Sequence, residues 1–169
     1  MIADDVDFVP WAQRLAAPGR GQIPRLLQPA AAEALEAELS ERVPWQLAER
    51  SEGQPRTSGR GPCPDDAALA AILARSHARA AAGDYQFAYD SYMLVRAARE
   101  GWDPGLLVHR LLPFFNSGQC LGFIRALTGD AGLHRMVAQC TRYRPGQFLM
   151  PHNDMEAAQG RRYAFVINL

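Results

Sequence analysis

The chain has 169 residues, enough for one ordinary domain with a real core. Its 48% hydrophobic and 21% charged content is that of a water-soluble globular protein. A formal net charge of zero argues against a strongly basic nucleic-acid binder, and all 18 basic residues are Arg; without Lys, a Schiff-base enzyme and a P-loop NTPase are excluded.

Cys63, Cys120 and Cys140 are widely spaced with no Cys-x-x-Cys pair, so neither a zinc site nor a disulfide framework is indicated. A reducing, cytoplasmic setting is the expectation. The acidic start Met1-Ile2-Ala3-Asp4-Asp5 has no apolar run behind it and does not read as a signal peptide. The longest charge-free stretch, Leu111 to Ile124, is interrupted by Pro113, Asn116, Gly118 and Gln119 and does not read as a membrane span. The expected partners are a small molecule or a peptide, with no nucleic acid and no membrane.

In chain order, residues 1–20 read as an irregular arm with Trp11 and Leu15 as docking points, and Ile23 to Leu27 as a short strand. Pro29 suits the first turn of a helix carrying Leu35, Leu39 and Val43, and Pro44 ends it. Val43 to Leu47 then turns into a strand. Ser51 to Pro64, rich in Ser, Gly, Pro and Arg, reads as a long surface loop. Asp65 or Asp66 caps a helix that buries Leu69, Ile72 and Leu73 and stops at Gly83. Tyr85 to Tyr92 is aromatic and loosely alternating, a strand at a sheet margin. Asp103-Pro104 opens a helix with Leu107, Val108, Leu111 and Leu112 on one face; Asn116 or Ser117 caps another that ends before Gly129. Met136 to Tyr143, Gln147 to His152 and Arg162 to Leu169 read as three short strands, the first two joined by the turn dipeptide Pro145-Gly146. Helices come first and strands follow, an α+β layout with helices covering one face of a sheet or barrel.

The chemistry concentrates in His152 and Asp154. On an extended segment, residues two apart share a face with Cα atoms ~6.6 Å apart. An imidazole and a carboxylate so placed supply two of the three groups in the two-His, one-carboxylate arrangement that holds non-haem Fe(II). A His-x-Asp triplet alone arises by chance in roughly one chain in four of this composition. Its bland reading is a polar loop after Pro151; the short strands around it favour the metal pair.

Tyr143-x-x-Gly146-x-x-Leu149-x-x-His152-x-Asp154, followed by Arg161-Arg162-Tyr163-Ala164-Phe165-Val166-Ile167-Asn168-Leu169, resembles the 2-oxoglutarate- and Fe(II)-dependent dioxygenases, most closely their prolyl 4-hydroxylase branch. The matching block runs from about Leu133 to Leu169. The resemblance implies a single domain, with helical support over 1–132 packed on a double-stranded β-helix (jelly roll) that starts at 133–169 and is incomplete at its C-terminal side. It implies that His152 and Asp154 are catalytic metal ligands, that the Tyr143 hydroxyl bonds a carboxylate of 2-oxoglutarate, and that Asn168 contacts the cosubstrate. The implied cofactors are Fe(II), 2-oxoglutarate and ascorbate as reductant. The implied substrate is a peptidyl proline or a small amino-acid-like molecule, hydroxylated with release of succinate and CO₂.

The family completes its site with a distal His and then an Arg or Lys on later strands, whereas residues 155–169 contain no His. Three explanations stand: a fragment, a truncated product, or a barrel finished by a partner. The alternative function is a non-catalytic or partner-completed half-barrel, a binding module forming homo-oligomers through the strand at Arg162 to Leu169. His77, His109 and His134 read as structural, and Arg135, Arg142 and Arg144 as a solvated rim able to attract a phosphate or an acidic partner.

Overall fold

The computed structural model describes residues 1–2, 9–16, 19–58, 63–154 and 160–169. In chain order these form helices α1 (Val9–Ala16) and α2 (Pro29–Glu41), strands β1 (Gln46–Ser51) and β2 (Gln54–Thr57), helix α3 (Asp66–Ala81), strand β3 (Phe87–Tyr92) and helix α4 (Leu94–Glu100). A 3₁₀ segment (Leu107–Arg110) leads into α5 (Leu111–Phe115), then α6 (Gly118–Thr128), β4 (Cys140–Arg142) and β5 (Phe148–Leu149). The fold is mixed α+β, with one antiparallel sheet of five strands. The chain forms two compact units: a helical one from Met1–Val43, Met93–Ala138 and Leu169, and an α/β one from Pro44–Tyr92 and Gln139–Asn168.

In the helical unit, Pro29 stands at the start of α2, where its missing N–H costs nothing. Ser117 caps α6 by accepting from the Cys120 amide, and Gly129 closes that helix in a left-handed conformation, φ 71°. The centre of this unit is Glu38, only 4% exposed on the inner side of α2. Its two carboxylate oxygens accept from the amides of Leu107 (2.7 Å) and Val108 (2.8 Å), and Arg42 one turn on donates to it at 3.2 Å. An acid at a position that helical spacing reserves for an apolar residue thus closes the 3₁₀ segment that the sequence presents as one α-helix with α5. Asn116 does similar work on the chain beyond α6: its side chain accepts from the Met136 amide and donates to the Met136 carbonyl, both at 2.9 Å.

In the α/β unit the strand order is β2-β1-β3-β4, and β5 also pairs with β3. Strand β3 is therefore central, correcting the marginal place expected of Tyr85 to Tyr92. Its alternation runs from Tyr85 to Asp90: Gln86, Ala88 and Asp90 are at most 1% exposed, while Tyr85, Phe87 and Tyr89 face the other way; beyond Asp90 both Ser91 and Tyr92 are buried. The first face is covered by α3, through a cluster of Leu47, Leu69, Leu73 and Ala88 with Ile72 against it. Asp65 caps α3 by accepting from the Ala68 amide at 2.8 Å.

Other expectations change. The arm contains the helix α1; residues 3–8 and 17–18 lie outside the described ones. Ile23 to Leu27 contributes a single bridge, Ile2 to Leu27, because the chain turns at Pro24-Arg25 with Arg25 at φ 52°. The expected loop from Ser51 contains the β1–β2 hairpin, turned by Glu52 (φ 51°) and Gly53 (φ 76°). This is the two-residue turn normally announced by Asn-Gly or Asp-Gly, and Glu in the first position hides it. Residues 59–62 of that stretch lie outside the described ones. Strands and helices alternate, rather than helices preceding strands. The strand expected from Met136 starts only at Cys140, because Asn116 occupies both ladder groups of Met136. The next ends at Leu149, ahead of Pro151. Arg162 to Leu169 forms no strand: a ladder needs a partner, and none of the described strands pairs with it.

Replacing Glu38 by Ala leaves two buried amides without acceptors. The expected loss is about 2–4 kcal/mol of unfolding free energy, read by urea denaturation.

Candidate functional site

The α/β unit holds a buried charge cluster built on Asp90, which is 0% exposed in the middle of β3. The register places Arg142 of β4 directly opposite. Arg142 donates twice to the single oxygen Oδ2, from Nη2 at 2.7 Å and Nε at 3.1 Å, as charge-assisted hydrogen bonds. Gln147 donates to Oδ1 at 2.7 Å and Arg144 at 3.2 Å. Arg144 Nε lies 3.0 Å from Oδ2, close enough to pair but too poorly aligned to donate. Arg142 also stacks on the buried Trp45 at 4.9 Å. Burial alone would raise the Asp90 carboxyl; the hydrogen bonds from Gln147, Arg142 and Arg144 outweigh it and hold the group below its ordinary range. The Cys63 thiol, 3.7 Å from Oδ1, is pushed up to about 11 by burial and then by the Asp90 charge, so it stays protonated at neutral pH.

The cluster fixes the path of the chain from β4 to β5. Gln147 returns its Oε1 to the Arg144 amide at 2.7 Å, and the Gln147 amide donates to the Arg144 carbonyl at 3.0 Å. The turn between them is Pro145-Gly146, with Gly146 at φ 83°; a Cβ there would also meet Leu73 Cδ1 at 3.1 Å, so this position needs glycine. His77 of α3 hydrogen-bonds the Gly146 carbonyl at 2.9 Å and stacks on Phe148 at 4.3 Å, a structural role. Arg142 and Arg144 are therefore internal partners of Asp90, not the solvated rim the sequence presents.

Beyond β5 the chain delivers His152 and Asp154 to the other side of the sheet. Their side chains meet: His152 Nε2 lies 3.1 Å from Asp154 Oδ1. His152 Nδ1 lies 3.1 Å from the Met150 carbonyl, which can only accept, so Nδ1 carries a proton. Nε2 then faces a carboxylate oxygen, and the pair is favourable only if one cation, a proton or a metal ion, sits between nitrogen and oxygen. Side-chain exposures of 32% for His152 and 55% for Asp154 leave the pair open to solvent.

His152 packs against Tyr85 at 6.4 Å. From Tyr85 a row of rings runs along β3: Tyr85 to Phe87 at 6.1 Å, Phe87 to Tyr89 at 5.6 Å, and Tyr89 to Tyr143 at 5.7 Å. Tyr143 and His152 thus lie at opposite ends of one aromatic row, separated by the Tyr85–Tyr89 span of about 13 Å at strand rise. Burial first, then the neighbouring Tyr89 and Tyr85, raise the Tyr143 hydroxyl and keep it a donor. Arg50 of β1 lies over the Tyr85 ring at 5.7 Å. Burial first, then Tyr89, raise Tyr85; Asp154 adds to this and Arg50 opposes it. Asn168 is exposed, in the irregular stretch 161–169.

Sequence reading missed Asp90, Gln147, Tyr85 and Arg50. The usable signal was Asp90 itself, a charge on the apolar parity of a strand. Among the described residues no three His, Cys, Asp or Glu side chains group closely enough to hold a metal. None of their helices is long and apolar enough to cross a membrane. No protein-family model, no curated protein and no solved structure matches this chain.

The depressed Asp90 carboxyl contributes stability that is complete above the ordinary carboxylate range, about pH 4, and is lost as pH falls below it. Asp90→Asn is expected to lower stability by about 3 kcal/mol at neutral pH and to flatten the acid limb of the stability–pH curve. Denaturation series from pH 7 to 2.5 read both.

Proposed function

We propose that this chain is the core of a 2-oxoglutarate-dependent Fe(II) dioxygenase of the prolyl-hydroxylase type. Its β-sheet is then one side of a jelly roll, and the substrate a peptidyl proline or a small amino-acid-like molecule. One observation carries the reading: His152 Nε2 and Asp154 Oδ1 lie 3.1 Å apart, with the imidazole held from behind by the Met150 carbonyl. Two donors bonded to one octahedral ion at about 2.1 Å and cis to each other lie about 3 Å apart. A backbone carbonyl on the far nitrogen is the usual means of fixing a ligating imidazole. The residues present therefore fit two adjacent positions of an iron site.

When bound, the iron and 2-oxoglutarate supply oxidation of an unactivated C–H bond by O₂, with release of succinate and CO₂ and with ascorbate as reductant. The chain's own residues prepare for that chemistry. Met150 fixes the tautomer of His152, and Asp154 supplies the negative charge. Tyr85 flanks the pair with an aromatic ring, 6.4 Å from the imidazole. In this reading the protein works in the cytoplasm, and Tyr143, at the other end of the aromatic row from His152, stands away from the metal pair.

Titration with Mn(II) or anaerobic Fe(II) tests the site. The expected result is one equivalent bound with release of up to one proton, since the metal takes the place that a proton would fill. Asp154→Ala is expected to weaken binding at least tenfold while leaving the fold intact by circular dichroism; unchanged affinity would defeat the assignment.

A second reading is favoured by the apolar exposure of Tyr163 (49%), Phe165 (44%), Val166 (80%) and Leu169 (47%). Here the chain is a binding module that self-associates through this exposed apolar stretch, as exposed strand edges do. Light scattering on the eluting protein decides it: Val166→Lys is expected to convert oligomer to monomer, and a monomeric parent protein ends this reading.

A further inference from the structure

We propose that the cleft between strand β1 and helix α3 binds a free α-amino acid as its zwitterion, with the ammonium at Glu49 and the carboxylate at Arg75 and Arg79. The cleft belongs to the α/β unit and lies on the α3 face of the sheet, away from the aromatic row and His152, so the proposal does not rest on the dioxygenase reading. Glu49, Ser51 and Glu52 bound it on one side, and Arg75, Ser76 and Arg79 on the other; it holds about 250 Å³. That is less than the roughly 300–1,000 Å³ of sites for drug-sized ligands and suits a molecule of amino-acid size. Glu49 pairs across to Ala88, which packs with Leu69 and Leu73 of α3. Glu49 and, two residues on, Ser51 therefore face α3. Ser76 lies three residues after Leu73 and seven after Leu69, on the buried stripe of that helix.

The sheet side of the cleft has acceptors to spare. Ser76 is 3% exposed and borders the cleft, yet its hydroxyl makes no hydrogen bond among the described residues. An apolar side chain would fill that position at less cost, so an unpartnered hydroxyl there points to a polar occupant. Gln86, 1% exposed on the same sheet face, keeps its Oε1 without a donor; continuing the β1–β3 register two residues sets it across from Ser51. Glu49 is half-buried and in no ion pair among the described residues. An ammonium answers this set of acceptors. The helix side has donors to spare. Arg75 makes one long bond, 3.4 Å to the Ala71 carbonyl, and Arg79 gives its Nε to Asp84 at 3.1 Å. These two arginines, four residues apart, share one side of α3. The other charges at the rim are engaged: Glu52 holds Arg56 at 3.0 Å, and Arg50 lies over Tyr85 on the opposite face. A simple anion in the cleft would face the Glu49 carboxylate, and a simple cation the two guanidinium groups. A molecule that carries both charges meets a partner at each end.

The test titrates each common L-α-amino acid into the full chain by calorimetry. The tightest is then compared with two analogues, the acid that lacks its amino group and the amine that lacks its carboxylate. At least one amino acid is expected to bind with a Kd of about 1 mM or tighter. Each analogue is expected to bind about tenfold or more weakly than it, the scale of a charged hydrogen bond. Glu49→Gln is expected to weaken the amino acid by about tenfold while leaving the amine-free acid unchanged. Arg75→Ala is expected to weaken the amino acid while leaving the carboxylate-free amine unchanged. Both variants change side chains at the rim, and circular dichroism checks that they fold. Absence of binding by every amino acid at about 10 mM overturns the proposal. Inorganic phosphate binding as tightly as the amino acid marks a plain anion site and overturns it too. So does a Glu49→Gln protein that binds the amino acid as tightly as the parent does.

Discussion

A carboxylate in the centre of a sheet is costly unless its charge is matched, and Asp90 is fully buried in the central strand. Its two oxygens are matched from one short run of chain, Arg142, Arg144 and Gln147. Arg142 ends β4 and pairs with Asp90 in the ladder, while Arg144 and Gln147 lie on the link to β5, which pairs with β3 at Ala88 and Phe87. The cluster therefore determines how far the chain swings out between the two short pairings. Strand β5 rejoins β3 at Ala88 and Phe87 after the Arg144–Gln147 turn, where Gly146 lies close to Leu73. The position of His152 follows from that pairing, three residues beyond its end.

The two faces of β3 divide the labour. The face toward α3 carries the aliphatic cluster and the charge cluster, and it supplies stability. The other carries rings in partial contact with solvent, with Tyr85 at 36% and Tyr143 at 51% exposure. Alternation from Tyr85 to Asp90 is what lets one strand do both, since a side chain's face is set by its parity alone. A slip of one residue in the β3–β4 register would bury Tyr rings against α3 and turn Asp90 toward solvent, so the salt links to Arg142 also fix the register.

Much of this was legible from sequence where local chemistry decides. The caps at Asp65 and Ser117, the Pro29 helix start, the α3 apolar face and the Pro145-Gly146 turn each rest on a residue type with a single strong preference. That the His152 and Asp154 side chains meet was legible for the same reason, from their spacing two residues apart. What escaped was set by long-range partners. Asp90 pairs with residues 52 to 57 positions away, Glu38 with amides 69 and 70 away, and Asn116 with Met136. Arg142 and Arg144 looked like surface charges because nothing nearby in sequence shows that a buried acid awaits them. The Glu52-Gly53 hairpin escaped because Glu is a poor announcer of a left-handed turn.

The arrangement around His152 carries its own constraint. A carbonyl behind the imidazole and a carboxylate in front are both acceptors, and a neutral imidazole has one proton to give. With Nδ1 committed to Met150, the Nε2–Asp154 gap is short of one positive charge. A proton satisfies it as an imidazolium–carboxylate ion pair, and a divalent ion satisfies it with charge to spare. That surplus is what an anionic ligand would answer, and the open side of the pair is bounded by Tyr85 with Arg50 beyond it. Arg50 comes beside the His-x-Asp block through the pairing of β1 and β5 on either side of β3, a proximity that the sequence of either strand alone does not show.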